Sequence, residues 1–219
     1  MSNPLLEPIV YLVDDDDAVR GGLSLLLGTH AFTVQAFASA EDFLAGWHPE
    51  SVGCLVLDIR LGGISGLTLQ TLLAERGIAT PVVIITGHGD VDACRRAFRH
   101  GAIDFLTKPV DEAALVAAIG RGIRADLARH AEAASRADAR ERLDSLSERE
   151  RQVLTLMLQG LPNKLIARSL DLSTRTVESH RARVFSKLGA ESLAALIKRV
   201  VEVAPEMAAA PAAAAPDKA

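Results

Sequence analysis

Cysteine is nearly absent from this sequence. Cys54 and Cys94 are the two, with no Cys-x-x-Cys pair and no metal-ligand spacing between them. This excludes a disulfide-stapled domain and a cysteine metal centre, and both residues read as small buried hydrophobes in a reducing compartment. Long apolar runs are lacking too. No stretch approaches the roughly 20 residues of a membrane span, and Met1 to Pro8 is polar and broken by proline, unlike a signal peptide. The expectation is a soluble, cytoplasmic protein with no membrane partner. A large excess of one charge is also missing, at −4 over 219 residues, but the balance hides an asymmetry. Residues 1–120 carry 7 Lys/Arg against 15 Asp/Glu, a balance of −8, whereas residues 147–204 carry 10 against 6, a balance of +4. An acidic module joined to one suited to a polyanion follows.

What is present is organised around Val52 to Gly66. Apolar residues run from Cys54 to Leu57, stop at one carboxylate, Asp58, and give way to a glycine-rich turn containing Gly62 and Gly63. That is the pattern of a buried parallel strand delivering an acid to a sheet edge. Four similar strands flank it: Ile9 to Val13, Thr33 to Phe37, Val82 to Ile85 and Ile103 to Leu106. Helical patterns alternate with them, with Ser39, Asp90 and Asp111 as N-caps. Such alternation predicts a doubly wound, five-stranded parallel α/β sheet covered on both faces.

The polar residues that end the strands carry the chemistry. Asp14 to Asp17 follow the first strand, Asp58 ends the third, Thr86 the fourth, and Lys108 follows the fifth. In a doubly wound sheet these positions share one carboxyl edge, where ligands bind. The set suits phosphoryl transfer to a carboxylate. Asp14, Asp15 and Asp58 would hold a hard divalent ion, Mg²⁺, Lys108 would pair with a phosphoryl oxygen, and Asp58 would attack phosphorus.

Val-Asp-Asp at 13–15, Leu-Asp-Ile-Arg at 57–60, Ile-Thr-Gly-His-Gly-Asp at 85–90 and Phe-Leu-Thr-Lys-Pro at 105–109 resemble the receiver domain of two-component response regulators. The likeness implies a flavodoxin-like receiver over residues 7–125, with Asp58 as phosphoacceptor for a sensor histidine kinase. It adds the backbone carbonyl of Arg60 to the Mg²⁺ ligands and makes Thr86 and Phe105 a switch pair. Where the family has Met-Pro after the acceptor strand this chain has Leu61-Gly62, which loosens the loop and bears on phosphorylation lifetime.

Residues 122–144 are alanine-rich with mixed charge and read as helix with little to bury, either a plain spacer or a continuation of the receiver's last helix. A helical linker is assigned to residues 126–142. Beyond it, Ser147 to Glu150 fits a capping box, Asn163 to Leu170 and Ser173 to Leu188 fit a helix-turn-helix, and Leu193, Leu196, Ile197, Val200 and Val201 stripe a fourth helix. Leu-Ser-Glu-Arg-Glu at 146–150, Gly-Leu-Pro-Asn-Lys-Leu-Ile-Ala at 160–167 and Ser-Thr-Arg-Thr-Val-Glu-Ser-His-Arg at 173–181 are similar to the LuxR-type DNA-binding domain. An all-α four-helix helix-turn-helix domain over residues 143–203 is implied, followed by a disordered Ala/Pro tail over 204–219.

Both halves together resemble the NarL/FixJ family of response regulators, with wording closest to the FixJ branch. By that resemblance Glu178, Ser179 and Ala182 face base edges, and Lys164, Arg175, His180, Arg181, Arg183 and Lys187 are candidates for phosphate contacts. The implied protein is no enzyme. It is a transcriptional activator that dimerises when phosphorylated and meets double-stranded promoter DNA and RNA polymerase. Two alternatives compete with it. One is a haloacid-dehalogenase-type phosphatase using Asp14 and Asp16, and the other is a receiver that dimerises without phosphorylation.

Overall fold

A computed structural model describes residues 7–87 and 91–209. The chain divides into two compact units after Ala131. The first alternates strand and helix: β1 (Ile9–Val13), α1 (Asp17–Thr29), β2 (Thr33–Phe37), α2 (Ala40–Gly46), β3 (Gly53–Asp58), α3 (Gly66–Glu75), β4 (Val82–Thr86), α4 (Val91–Arg99), β5 (Asp104–Thr107) and α5 (Glu112–Asp144). All strands are parallel, in the order β2-β1-β3-β4-β5. The expected doubly wound sheet is therefore present, with the reversal of strand order between β1 and β3 opening a crevice at their carboxyl ends.

Burial explains why β3 and β4 read as unbroken apolar runs: every residue of both strands is buried, because helices cover both faces. One face packs Tyr11, Leu55, Leu57 and Ile84 against Phe43 of α2, Leu69 and Leu73 of α3 and Ala97 of α4. The other packs Leu12, Val56, Val83 and Ile85 against Leu27 of α1 and Leu115 and Ile119 of α5. Side-chain caps start the helices over the carboxyl edge. The Asp16 carboxylate accepts from the backbone N–H groups of Ala18 and Val19, and Ser65 Oγ accepts from Thr68 N. The proposed cap Asp90 lies outside the described residues.

α5 departs from the expectation of a linker with little to bury. Ile123, Asp126 and Leu143 are all buried, and Asp126 belongs to the first unit. Residues 131–138 are exposed on every side, and i,i+4 pairs such as Arg136–Glu132 at 2.6 Å and Arg142–Asp138 at 2.8 Å support the helix where packing does not.

The second unit holds α6 (Glu148–Leu158), α7 (Asn163–Leu170), α8 (Thr174–Leu188), α9 (Leu193–Val203) and a short α10 (Pro205–Ala209). The capping box is formed as expected, with Ser147 and Glu150 exchanging side-chain and backbone hydrogen bonds. Between α7 and α8 the chain reverses through Asp171 in the left-handed region, φ 53°, which Asp tolerates better than most residues. The expected disorder from Ala204 fails at its start. Ala204 is buried and Met207 packs on the core, so α10 finds apolar cover that its low-complexity composition conceals. Residues 210–219 lie outside the described part.

Candidate phosphoacceptor site and DNA-binding helix

Four strand ends bring the site together. Asp14 follows β1 fully buried, Asp58 closes β3 at 6 % exposure, Thr86 closes β4 with no exposed surface, and Lys108 follows β5. The Lys108 ammonium reaches both acids, donating to Asp14 Oδ2 and to Asp58 Oδ2 at 2.6 Å each. Its position is set by its own backbone, since Lys108 N donates to Thr86 O at 2.7 Å. Arg60 N donates to Asp58 Oδ1 at 3.2 Å, and Asp16 N to Asp14 Oδ1 at 3.1 Å.

Burial raises the Asp14 carboxyl above its usual range, against hydrogen bonds from Lys108 and Asp16 that lower it. Burial alone would depress the Lys108 amine, but the hydrogen bonds it donates to Asp14 and Asp58, with their charges, outweigh it and the amine is raised. Lys108 is thus a fixed cation between two acids. Oxygens of Asp14, Asp15 and Asp58 lie within 4.8 Å of one another, with Asp15 exposed to solvent. Three carboxylates against one ammonium leave an excess of two negative charges, and an all-oxygen donor set of that charge fits a hard divalent cation.

Phe105 is half-buried on the same sheet face as Thr86, since Ile84 pairs with Phe105 and Thr86 with Thr107. The Asp16 carboxylate, second acid of the alternative phosphatase arrangement, caps α1 through Oδ1 and is exposed. A glycine at the start of α3 lies hard against the acceptor strand. Neither Gly62 nor Gly63 has a positive φ, whereas a Cβ on Gly66 would lie 2.0 Å from the Asp58 carbonyl oxygen. No sequence signal separates Gly66 from its neighbours.

In the second unit, α8 buries Val177, Val184 and Leu188 and exposes Arg175, Glu178, Ser179, Ala182 and Arg183. The exposed set follows helical spacing along one side, as a helix entering a groove requires. Lys164 on α7 is exposed, Arg181 is half-buried, and His180 is half-buried with Nδ1 lacking a hydrogen-bond partner among the described residues. Lys187 differs from the rest. Its ammonium donates to Glu150 Oε2 at 2.7 Å and to Ser145 O at 3.0 Å, an internal tie that sequence reasoning missed. Asp126 was missed as well: fully buried, it accepts from Gly53 N at 2.9 Å and from Arg129 at 2.6 Å.

Comparison with known proteins agrees with both halves. Residues 10–120 match the response regulator receiver domain, and residues 144–200 match the luxR family of bacterial regulatory proteins. The chain is 46 % identical to the transcriptional regulatory protein FixJ of Azorhizobium caulinodans over 86 % of its own length and 90 % of that protein. It is 37 % identical to the response regulator protein TodT of Pseudomonas putida over 87 % and 84 %. Among solved structures, the response regulator StyR superposes with a TM-score of 0.82 at 42 % identity, covering 89 % of this chain and 98 % of that one.

Proposed function

This chain belongs to the FixJ-type response regulators, transcriptional regulators that join a receiver to a LuxR-type DNA-binding domain, and from that premise we propose that phosphorylation of Asp58 controls its binding to promoter DNA. The observation that carries the reading is the Lys108 ammonium shared at 2.6 Å between Asp14 and Asp58 on the carboxyl edge of the sheet. A sensor histidine kinase supplies the phosphoryl group. An oxygen of Asp58 forms a bond to phosphorus as the nitrogen–phosphorus bond of the kinase phosphohistidine breaks, and the imidazole leaves. Lys108 then exchanges its Asp58 contact for a phosphoryl oxygen while keeping Asp14. Asp14, Asp15, Asp58 and the Arg60 carbonyl would hold Mg²⁺, which when bound offsets the charge of the incoming phosphoryl group.

The Thr86 hydroxyl turns toward the phosphoryl oxygen, and Phe105 moves inward with it. The receiver population shifts, and two receivers pair through the face of α4 and β5. Exposed Val91 and Phe98, seven residues apart on α4, support that face. Leu193, Ile197 and Val201 form an exposed stripe on α9 suited to a second protomer's DNA-binding unit. Two copies of α8 then occupy a two-fold site, and activation of transcription through RNA polymerase follows.

The test loads the full chain with Mg²⁺ and beryllofluoride and compares gel filtration and promoter affinity with the unloaded protein. A dimer with tighter DNA binding is expected. Acid-labile phosphate from acetyl phosphate should appear in the wild type and be lost in Asp58→Asn. An unchanged monomer with unchanged DNA affinity, or label retained by Asp58→Asn, overturns the scheme.

A further inference from the structure

Resting on the reading of Asp58 as phosphoacceptor, we propose that Gln70 is a positioning residue for the receiver's switch: it tethers the end of α4 to α3 in the unphosphorylated protein and so sets how tightly a phosphoryl group must bind before the receiver changes state. Gln70 lies in the middle of α3 and is 2 % exposed. Its Nε2 donates to Ala97 O at 3.0 Å and to His100 O at 3.3 Å, both at the end of α4. Its Oε1 is buried with no hydrogen-bond partner among the described residues. Only the nitrogen can face two carbonyl oxygens, so the amide has one workable orientation.

Two features separate a tether from ordinary capping or packing. The end of α4 is closed without Gln70: Gly101 stands in the left-handed region at φ 82°, Gly101 N donates to Phe98 O and Ala102 N to Ala97 O, each at 3.0 Å. That is the Schellman arrangement, and it satisfies the Ala97 carbonyl by itself. The amide is also unfavourable as packing. A buried acceptor without a partner costs free energy, and an apolar side chain of similar shape would remove that orphan and leave Ala97 O satisfied. What Gln70 adds is a directional link between two helices. The link lies where the switch must act. Ala97 and Ala102 belong to the core cluster that also holds Leu69, the neighbour of Gln70, and Phe105 packs against that cluster from its edge. Such a core is close-packed, so a ring moving inward from β5 requires the end of α4 to give way, and the hydrogen bonds from Gln70 resist that movement.

The experiment titrates beryllofluoride, in excess Mg²⁺, into the full chain as wild type, Gln70→Leu and Gln70→Met, with occupancy of the acceptor read from the bound fluorine resonance. Loss of the tether should lower the beryllofluoride concentration for half-loading by about fivefold or more in either variant that folds. Leu44→Ala, which loosens the same core from α2, should lower the urea midpoint and leave half-loading unchanged, as a Gln70 that only packs would do. A shift of less than about twofold in the Gln70 variants, an equal shift in Leu44→Ala, or failure of both Gln70 variants to fold overturns the tether. In those cases the wild type still loads and the phosphoacceptor reading stands. A wild type that takes up no beryllofluoride overturns that reading and the tether with it.

Discussion

A Cβ placed on Gly66 meets the Asp58 carbonyl oxygen at 2.0 Å, while one on Gly62 finds its nearest atom, Asp15 Oδ2, at 3.6 Å. The first distance forces backbone apart and the second is ordinary contact. Gly66→Ala should therefore cost about 1–3 kcal/mol in urea unfolding and lower the yield of acid-labile phosphate several-fold, because the strand end that aims Asp58 must shift. Gly62→Ala should stay within about 0.5 kcal/mol of wild type. Glu150 gives a pH-dependent case. The Lys187 ammonium and the Ser147 backbone N–H hold its carboxyl down to about 2, against 4.5 ordinarily. A depressed acid contributes its full stability above the unfolded value and loses it as pH falls toward the folded one. Amide protection across α6 and α8, taken relative to the intrinsic exchange rate at each pH, should fall in the wild type between pH 4.5 and about 2, and Glu150→Gln should flatten that response.

Whether an element was legible in the sequence depended on where its partners lie. β3 and β4 show their burial in their own composition, and Ser39, Ser147 and Ser173 mark helix starts that the structure reproduces. Asp58, Asp14, Thr86 and Lys108 were legible because each ends or follows a strand, and parallel topology carries strand ends to one edge. Asp126 and Gly66 were not, since their roles depend on atoms that no local pattern reveals; Gly53, which Asp126 binds, lies 73 residues away. That bond ties α5 to the start of the strand whose other end is Asp58, and Gly122 brings the same helix against Cys54. Burial pushes the Cys54 thiol up to about 12, so it packs as an inert apolar group. Asp126→Ala leaves a buried N–H without an acceptor and Arg129 without its anion, and should cost about 1–3 kcal/mol. Exchange of the Gly53 amide should rise beyond the global change, and a rise no greater than at other β3 amides would show that the carboxylate does not hold it.

The chain joins an acidic receiver to a mildly basic DNA-binding unit, and the difference makes DNA affinity the property most sensitive to salt. Each lysine or arginine that neutralises a phosphate releases counterions and steepens the fall of log affinity with log salt by about 0.9. Exposed Arg175 and Lys164 fit that role, while Lys187 spends its charge on Glu150 and Ser145 inside the unit. Arg175→Ala and Lys164→Ala should each weaken binding on any sequence and lower the salt slope by about one, with unfolding unchanged. Lys187→Ala should do the reverse. It leaves the slope as it was and destabilises the unit, because Glu150 is then buried without its cation. Measuring slope and stability on all three variants separates the roles, and a slope lowered by Lys187→Ala at unchanged stability would return that residue to the DNA contacts.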